Sequence, residues 1–114
     1  MARNNFLLHS PPHMVRSKAE LLGRNLRTAR LRRNLTMQEV AIKIGTGVRA
    51  VRDAEAGKVS TSIGIYLALL WLYDLTQEID NLADPLSDKV GLRLEALKNP
   101  ERARHIKPRM DNDF

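Results

Sequence analysis

The chain has 114 residues, with 19 Lys or Arg against 13 Asp or Glu and a formal net charge of +6 at pH 7; its pI is near 10.2. That length suits one domain, and that charge favours polyanionic partners, nucleic acid first, over acidic substrates. With no cysteine, disulfides, thiolate nucleophiles, iron–sulfur clusters and cysteine-ligated zinc are excluded. The longest uncharged run, Val59 to Tyr73, has 15 residues, short of the roughly 20 apolar residues that span a bilayer. Residues 1–16 hold no continuous apolar stretch of the secretory kind, so a cytoplasmic protein with no membrane contact is expected.

Residues 1–16 lack helical periodicity and contain Pro11 and Pro12, whose missing amide hydrogens stop a helix; a loose arm is expected there. From Ser17 to about Arg33, Leu21, Leu22, Leu26, Ala29 and Leu31 recur near the helical period, beside a row of Arg24, Arg27 and Arg30. Thr36 with Glu39 reads as a capping box opening a short helix, Met37 to Ile44, that places Val40, Ala41 and Ile44 inward and stops at Gly45. A second short helix runs from Val48 to about Ala56, with Val51 and Ala54 inward, and stops at Gly57. Ser60-Thr61-Ser62 caps a fourth helix whose apolar residues surround much of its circumference, the mark of a buried helix. Packing inside the protein is the first expectation for Tyr66, Trp71 and Tyr73, with a dimer contact as the alternative. A short fifth helix near Thr76 carries Ile79 and Leu82 and ends before Asp84-Pro85. In the extension, Val90, Leu92, Leu94 and Leu97 fit either a short strand or a helical turn. The domain is thus expected over 17–83, with a C-terminal extension over 84–114.

Two short helices joined by a glycine-containing turn form a helix-turn-helix, and Met37 to Ala56 has that form. Charge is distributed to match. Residues 16–33 carry seven basic side chains against Glu20 alone, residues 60–90 carry Lys89 against Asp74, Glu78, Asp80, Asp84 and Asp88, and residues 93–109 are basic again. A merely solubilising surface mixes the signs; this one points the first three helices towards DNA.

Residues 20–82 carry several ordered signals: the basic first helix, Leu35-Thr36-x-x-Glu39-Val40-Ala41, Ile44-Gly45 in the turn, Ala54-Glu55-x-Gly57-Lys58, and a capped apolar helix after it. In this it resembles the XRE family, the five-helix domains of the lambdoid phage repressors and Cro proteins. Residues 82–104 resemble the tail of HipB-like antitoxins, which are encoded beside kinase-like HipA toxins. The first resemblance implies an all-α, five-helix domain whose third helix enters the major groove, with Val48, Arg49, Arg52 and Asp53 at the base-reading positions. Arg49 is the leading base reader, because a guanidinium donates two hydrogen bonds to guanine O6 and N7; Arg52 is suited to a base or a phosphate. Val48 stands where the family often has glutamine, and Met37 where a glutamine often binds phosphate. Arg30 and Glu55 match a pair that forms an interhelical salt bridge in the phage repressors, with a phosphate contact from Arg30 as an addition. The backbone amides of Met37 and Gln38, with Lys43, Thr46, Gly47 and Lys58, complete the expected phosphate contacts.

No serine, carboxylate and histidine group has a defined mutual arrangement, so no enzyme and no cofactor are expected. His9 and His13 have i, i+4 spacing, but the prolines between them forbid the helix that would make them metal ligands. The reading is a sequence-specific transcriptional repressor that binds a near-palindromic operator as a homodimer and, by its tail, has a kinase-like toxin as a further partner. The alternative is a protein-interaction adaptor that has lost specific DNA binding, which the apolar Val48 and Met37 keep open.

Overall fold

A computed structural model describes residues 5–98. In chain order the elements are α1 (Phe6–His9), α2 (His13–Arg32), α3 (Met37–Ile44), α4 (Val48–Glu55), α5 (Ile63–Leu72), two 3-10 turns (Gln77–Asn81 and Pro85–Ser87) and α6 (Lys89–Lys98). Among the described residues there is no strand, and no helix is long and apolar enough to cross a membrane. The fold is all-α. Contacts divide the chain into two compact units, residues 1–77 and 78–114.

In the first unit the long helix starts earlier than expected. Pro12 is the N-cap of α2, and its carbonyl accepts from the amide of Arg16 at 3.1 Å. The prolines do interrupt the helix, since α1 ends at His9, but a helix start needs no amide hydrogen, and there proline is at home. His9 and His13 therefore lie in different helices. The expected capping box forms: the Glu39 amide donates to Thr36 Oγ1 at 3.0 Å and the Thr36 amide to Glu39 Oε1 at 2.8 Å. Ser62 caps α5, accepting from the Ile65 amide at 3.4 Å.

Helices α2 to α5 close in the same way. A left-handed residue stands one or two places after each helix end, at Asn34, Gly45, Gly57 and Asp74. Paired backbone bonds then satisfy the last carbonyls: Asn34 to Leu31 with Leu35 to Arg30, Gly45 to Ile42 with Thr46 to Ala41, Gly57 to Ala54 with Lys58 to Asp53, and Asp74 to Trp71 with Leu75 to Leu70. This is the Schellman pattern. Asparagine and aspartate enter the left-handed region more readily than other side chains, so they serve where glycine is absent.

The core is Leu26 and Ala29 of α2, Val40 and Ala41 of α3, Val51 and Ala54 of α4, Leu69 of α5 and Tyr73 just beyond it. Helix α4 contacts α2, α3 and α5. Leu21 and Leu31 are exposed, and so are Ile63, Leu67 and Trp71. The expectation that α5 is buried around its circumference is thus corrected: α5 packs one side on α3 and α4, with only Leu69 fully buried. Of the aromatic residues expected inside, Tyr73 is buried, Tyr66 is half-buried and Trp71 is not buried.

Helix α2 lies close against the end of α4. A Cβ on Gly23 would stand 2.5 Å from the Glu55 carbonyl oxygen and 2.7 Å from that of Ala54. A Cβ on Gly57 would stand 2.6 Å from Glu20 Cα. Both obstructions are backbone, which cannot swing aside.

The second unit holds the expected fifth helix only as a 3-10 turn, most of it beyond residue 77. Val90 to Leu97 is helical, so the strand alternative does not form. Asp88 Oδ1 accepts from the Gly91 amide at 2.9 Å, which caps a helix on which Val90, Leu94 and Leu97 share a side. The part of the expected basic stretch beyond residue 98, and the rest of the extension to 114, lie outside the described residues.

The glycine contacts yield a testable difference. Gly23→Ala is expected to lower unfolding stability by about 2–3 kcal/mol through overpacking. Gly45→Ala meets no atom within 4 Å and pays only the left-handed conformation, about 1 kcal/mol. Denaturant midpoints of the two variants, measured side by side, check the order.

Candidate nucleic-acid interface

Helix α4 has eight residues, too few to be stable alone, so its orientation comes from what it is packed against. Val51, Ala54 and Glu55 are its buried residues. Val48, Arg49 and Arg52, at i, i+1 and i+4, occupy the opposite face and are exposed. The turn before it is Gly45-Thr46-Gly47, with Gly47 as its N-cap. Helices α3 and α4 and this turn make the helix-turn-helix.

Its angle is fixed by a buried ion pair. Arg30 Nε donates to Glu55 Oε2 at 2.6 Å and Arg30 Nη2 donates to Glu55 Oε1 at 2.9 Å, the parallel two-bond geometry that arginine and carboxylate favour. The two side chains are 8% and 4% exposed. Arg30 Nη1 also donates to the Leu35 carbonyl at 3.0 Å, so one guanidinium ties α2, the segment leading into α3 and the last residue of α4 together. Its hydrogen bond to Glu55 raises the Arg30 pKa further above its ordinary value, against the opposing effect of burial. Arg30 thus leaves the basic row expected with Arg24 and Arg27: those two are exposed and Arg30 is inside.

Tyr73 lies in the electrostatic neighbourhood of this pair. Its hydroxyl is buried and finds no hydrogen-bond partner among the described residues. Burial first, and then the Glu55 charge, raise its pKa above the ordinary 10, opposed by Arg30 and Arg33. Arg33 spans from α2 to the end of α5: Nη1 donates to the Ala29 carbonyl at 2.8 Å and Nη2 to the Tyr73 carbonyl at 2.9 Å. Its guanidinium stands 5.3 Å from the Tyr73 ring centre, a cation–π distance.

The remaining candidates divide between surface and core. Gln38, Lys43, Gly47 and Lys58 are exposed and Thr46 is half-buried. Asp53 is half-buried, with its Oδ2 3.9 Å from Lys58 Nζ. Met37 packs its side chain against the core, and its amide is at the start of α3, where a helix leaves its N–H groups without partners inside the helix. Among the described residues, Arg49 and Arg52 have no carboxylate within 4.0 Å; the ion pairs there are Arg30 with Glu55 and Lys58 with Asp53. The outer face of α4 therefore presents two unneutralised guanidinium groups.

Sequence reasoning missed Gly23 and Arg33. A glycine within a run of good helix formers was the available signal for Gly23, since it costs about 1 kcal/mol relative to alanine. Arg33 carried no local signal, because its second partner is 40 residues away.

A family model described as helix-turn-helix domain matches residues 21–82, just over half of the chain. No curated protein and no solved structure matches.

Two outcomes are expected from the buried groups. Glu55→Leu strands the Arg30 charge and is expected to cost about 3–5 kcal/mol, whereas Arg30→Met combined with Glu55→Leu costs markedly less; urea unfolding of the wild type, of Glu55→Leu and Arg30→Met singly and of the double variant measures this coupling. For Tyr73, neither state ionises below about pH 10. Above it the unfolded chain loses the phenolic proton while the folded chain retains it, so stability falls as pH rises through the alkaline range. Tyr73→Phe should flatten that part of the stability–pH curve.

Proposed function

Because the chain belongs to the helix-turn-helix domain family, we propose that it is a sequence-specific DNA-binding transcriptional repressor that occupies a near-palindromic operator as a dimer. The observation that carries this reading is the outer face of α4, where Arg49 and Arg52 stand exposed and unpaired on a helix whose opposite face is locked by Arg30 and Glu55. Arg49 reads guanine and Arg52 reads a base or holds a phosphate. Val48, 36% exposed, supplies an apolar contact such as one to a thymine methyl, and Asp53 borders the same face. Lys43, Thr46, Gly47, Lys58 and the amides of Met37 and Gln38 hold the backbone. One such helix reads only a few base pairs, so a dimer placing two of them about 34 Å apart reads a useful site.

The likeness of residues 82–104 to HipB-like tails extends the proposal to an antitoxin that represses its own operon and neutralises a kinase-like toxin through its acidic segment or its tail. Residues 82–98 of that stretch lie among the described ones.

The test is binding to the DNA upstream of its own gene and to a scrambled duplex at matched salt. Tight binding to the first is expected, with Arg49→Ala weaker there by roughly 10–100-fold. Lys43→Ala is expected to weaken binding to both duplexes alike and to lower the salt slope by about 1. Equal, weak binding to both duplexes, untouched by Arg49→Ala, overturns the repressor and leaves an adaptor that binds protein.

A further inference from the structure

Helix α5 carries an apolar face that the core does not use. Ile63, Leu67 and Trp71 recur every four residues and so form one ridge, exposed at 72%, 38% and 67%. Beside this ridge runs a row of small residues, Gly64 and Ala68. Glycine is disfavoured within helices relative to alanine, and nothing among the described residues requires it at 64. An added Cβ would meet only Ser62 Oγ, at 3.8 Å, and Gly64 is not among the left-handed glycines.

A bulky row next to a small row on one helix face is a ridge beside a groove. A second copy turned about a two-fold axis offers the same pair, so each ridge lies in the other copy's groove. Charge selects the same occupant. No charged residue occurs from 59 to 73, so α5 itself sets no like charges against each other when two copies of a +6 chain meet along it. An exposed tryptophan flanked by aliphatic side chains also has the composition of an interface hot spot.

We infer that the Ile63–Leu67–Trp71 ridge and the Gly64–Ala68 groove form the homodimer interface, with a second copy of this chain as its occupant. The inference rests on the dimeric reading above and gives it a surface. One helix face is small beside a standard interface. The dimer is therefore weak in free solution and is completed when adjacent half-sites hold two copies together.

Trp71 is the chain's single tryptophan, so its fluorescence reports this surface directly. The experiment is sedimentation equilibrium of the full chain from about 1 to 500 µM, with Trp71 emission read in parallel, and binding to one-half-site and two-half-site duplexes. The expected result is concentration-dependent dimerisation with a blue shift of the emission. Ile63→Glu retains the reporter and places a carboxylate at a helix start, where it is favourable; it is expected to raise the dissociation constant by more than about 30-fold. Gly64→Ala, which favours the helix but fills the groove, is expected to raise it about 10-fold without lowering the thermal midpoint. Both variants retain half-site affinity and lose cooperativity on the two-half-site duplex. A dissociation constant unchanged in both variants overturns the inference, as does a monomer whose Trp71 emission is constant at every concentration. Loss of half-site binding by the wild type sinks the DNA-reading proposal instead, and leaves the sedimentation result to decide the surface.

Discussion

The fit between α2 and the last turn of α4 is the constraint on which the rest of the first unit depends. Gly23 lets the α2 backbone lie against the carbonyls of Ala54 and Glu55, and Gly57 lets the chain leave α4 against Glu20. At that separation Arg30 reaches Glu55 in the two-bond geometry. A buried ion pair of this kind adds little net stability, since desolvation offsets most of the attraction. Its main effect is geometric: the carboxylate accepts both bonds well in one arrangement, so α4 is held at one angle. The clamp lies at the C-terminal end of α4, and the exposed Val48 and Arg49 lie at the other. The helix is a short rod gripped at its base.

The helix ends complement this grip. Helices of eight residues such as α3 and α4 have no stability of their own, and their unsatisfied carbonyls must be met by local bonds. The repeated left-handed closure does so at Asn34, Gly45, Gly57 and Asp74 and turns the chain out of the helix each time. Leu35, the residue after one such closure, packs on the core. Arg33 then joins α2 to α5 through two carbonyls, so the helices are fastened by side chains as well as by apolar burial.

Features that depend on neighbours in the sequence were legible there. The Thr36 and Glu39 capping box, the stops at Gly45 and Gly57, and the inward set Val40, Ala41, Val51 and Ala54 all follow from spacing and residue type. The pairing of Arg30 with Glu55 came from resemblance, because nothing local links residues 25 apart. Other features were hidden for physical reasons. Proline starts helices as readily as it ends them, so Pro12 was ambiguous. Asn34 and Asp74 close helices through a backbone conformation that their side chains tolerate without advertising. In α5 almost every residue is apolar, so periodicity carried no information about which side faces inward, and the exposed ridge ending in Trp71 became visible only in three dimensions. The short apolar run at 90–97 fitted both periods until the cap from Asp88 to Gly91 decided it. On the site itself, the set Val48, Arg49, Arg52 and Asp53 came from the resemblance, and the inward phase of Val51 and Ala54 agrees with the exposure of the first three. The inward turn of the Met37 side chain was not legible, since the first residue of a helix lies at the edge of any face.

The separation of the two faces of α4 has an evolutionary consequence. Val51, Ala54 and Glu55, which fix the helix, are buried, whereas Val48, Arg49 and Arg52 contribute nothing to the core. Exposed positions of this kind tolerate substitution within about 0.5 kcal/mol. The outer residues can therefore change without an intermediate that fails to fold, whereas a change at the inner residues disturbs the packing that seats the helix. The scaffold can accept a new outer face one side chain at a time.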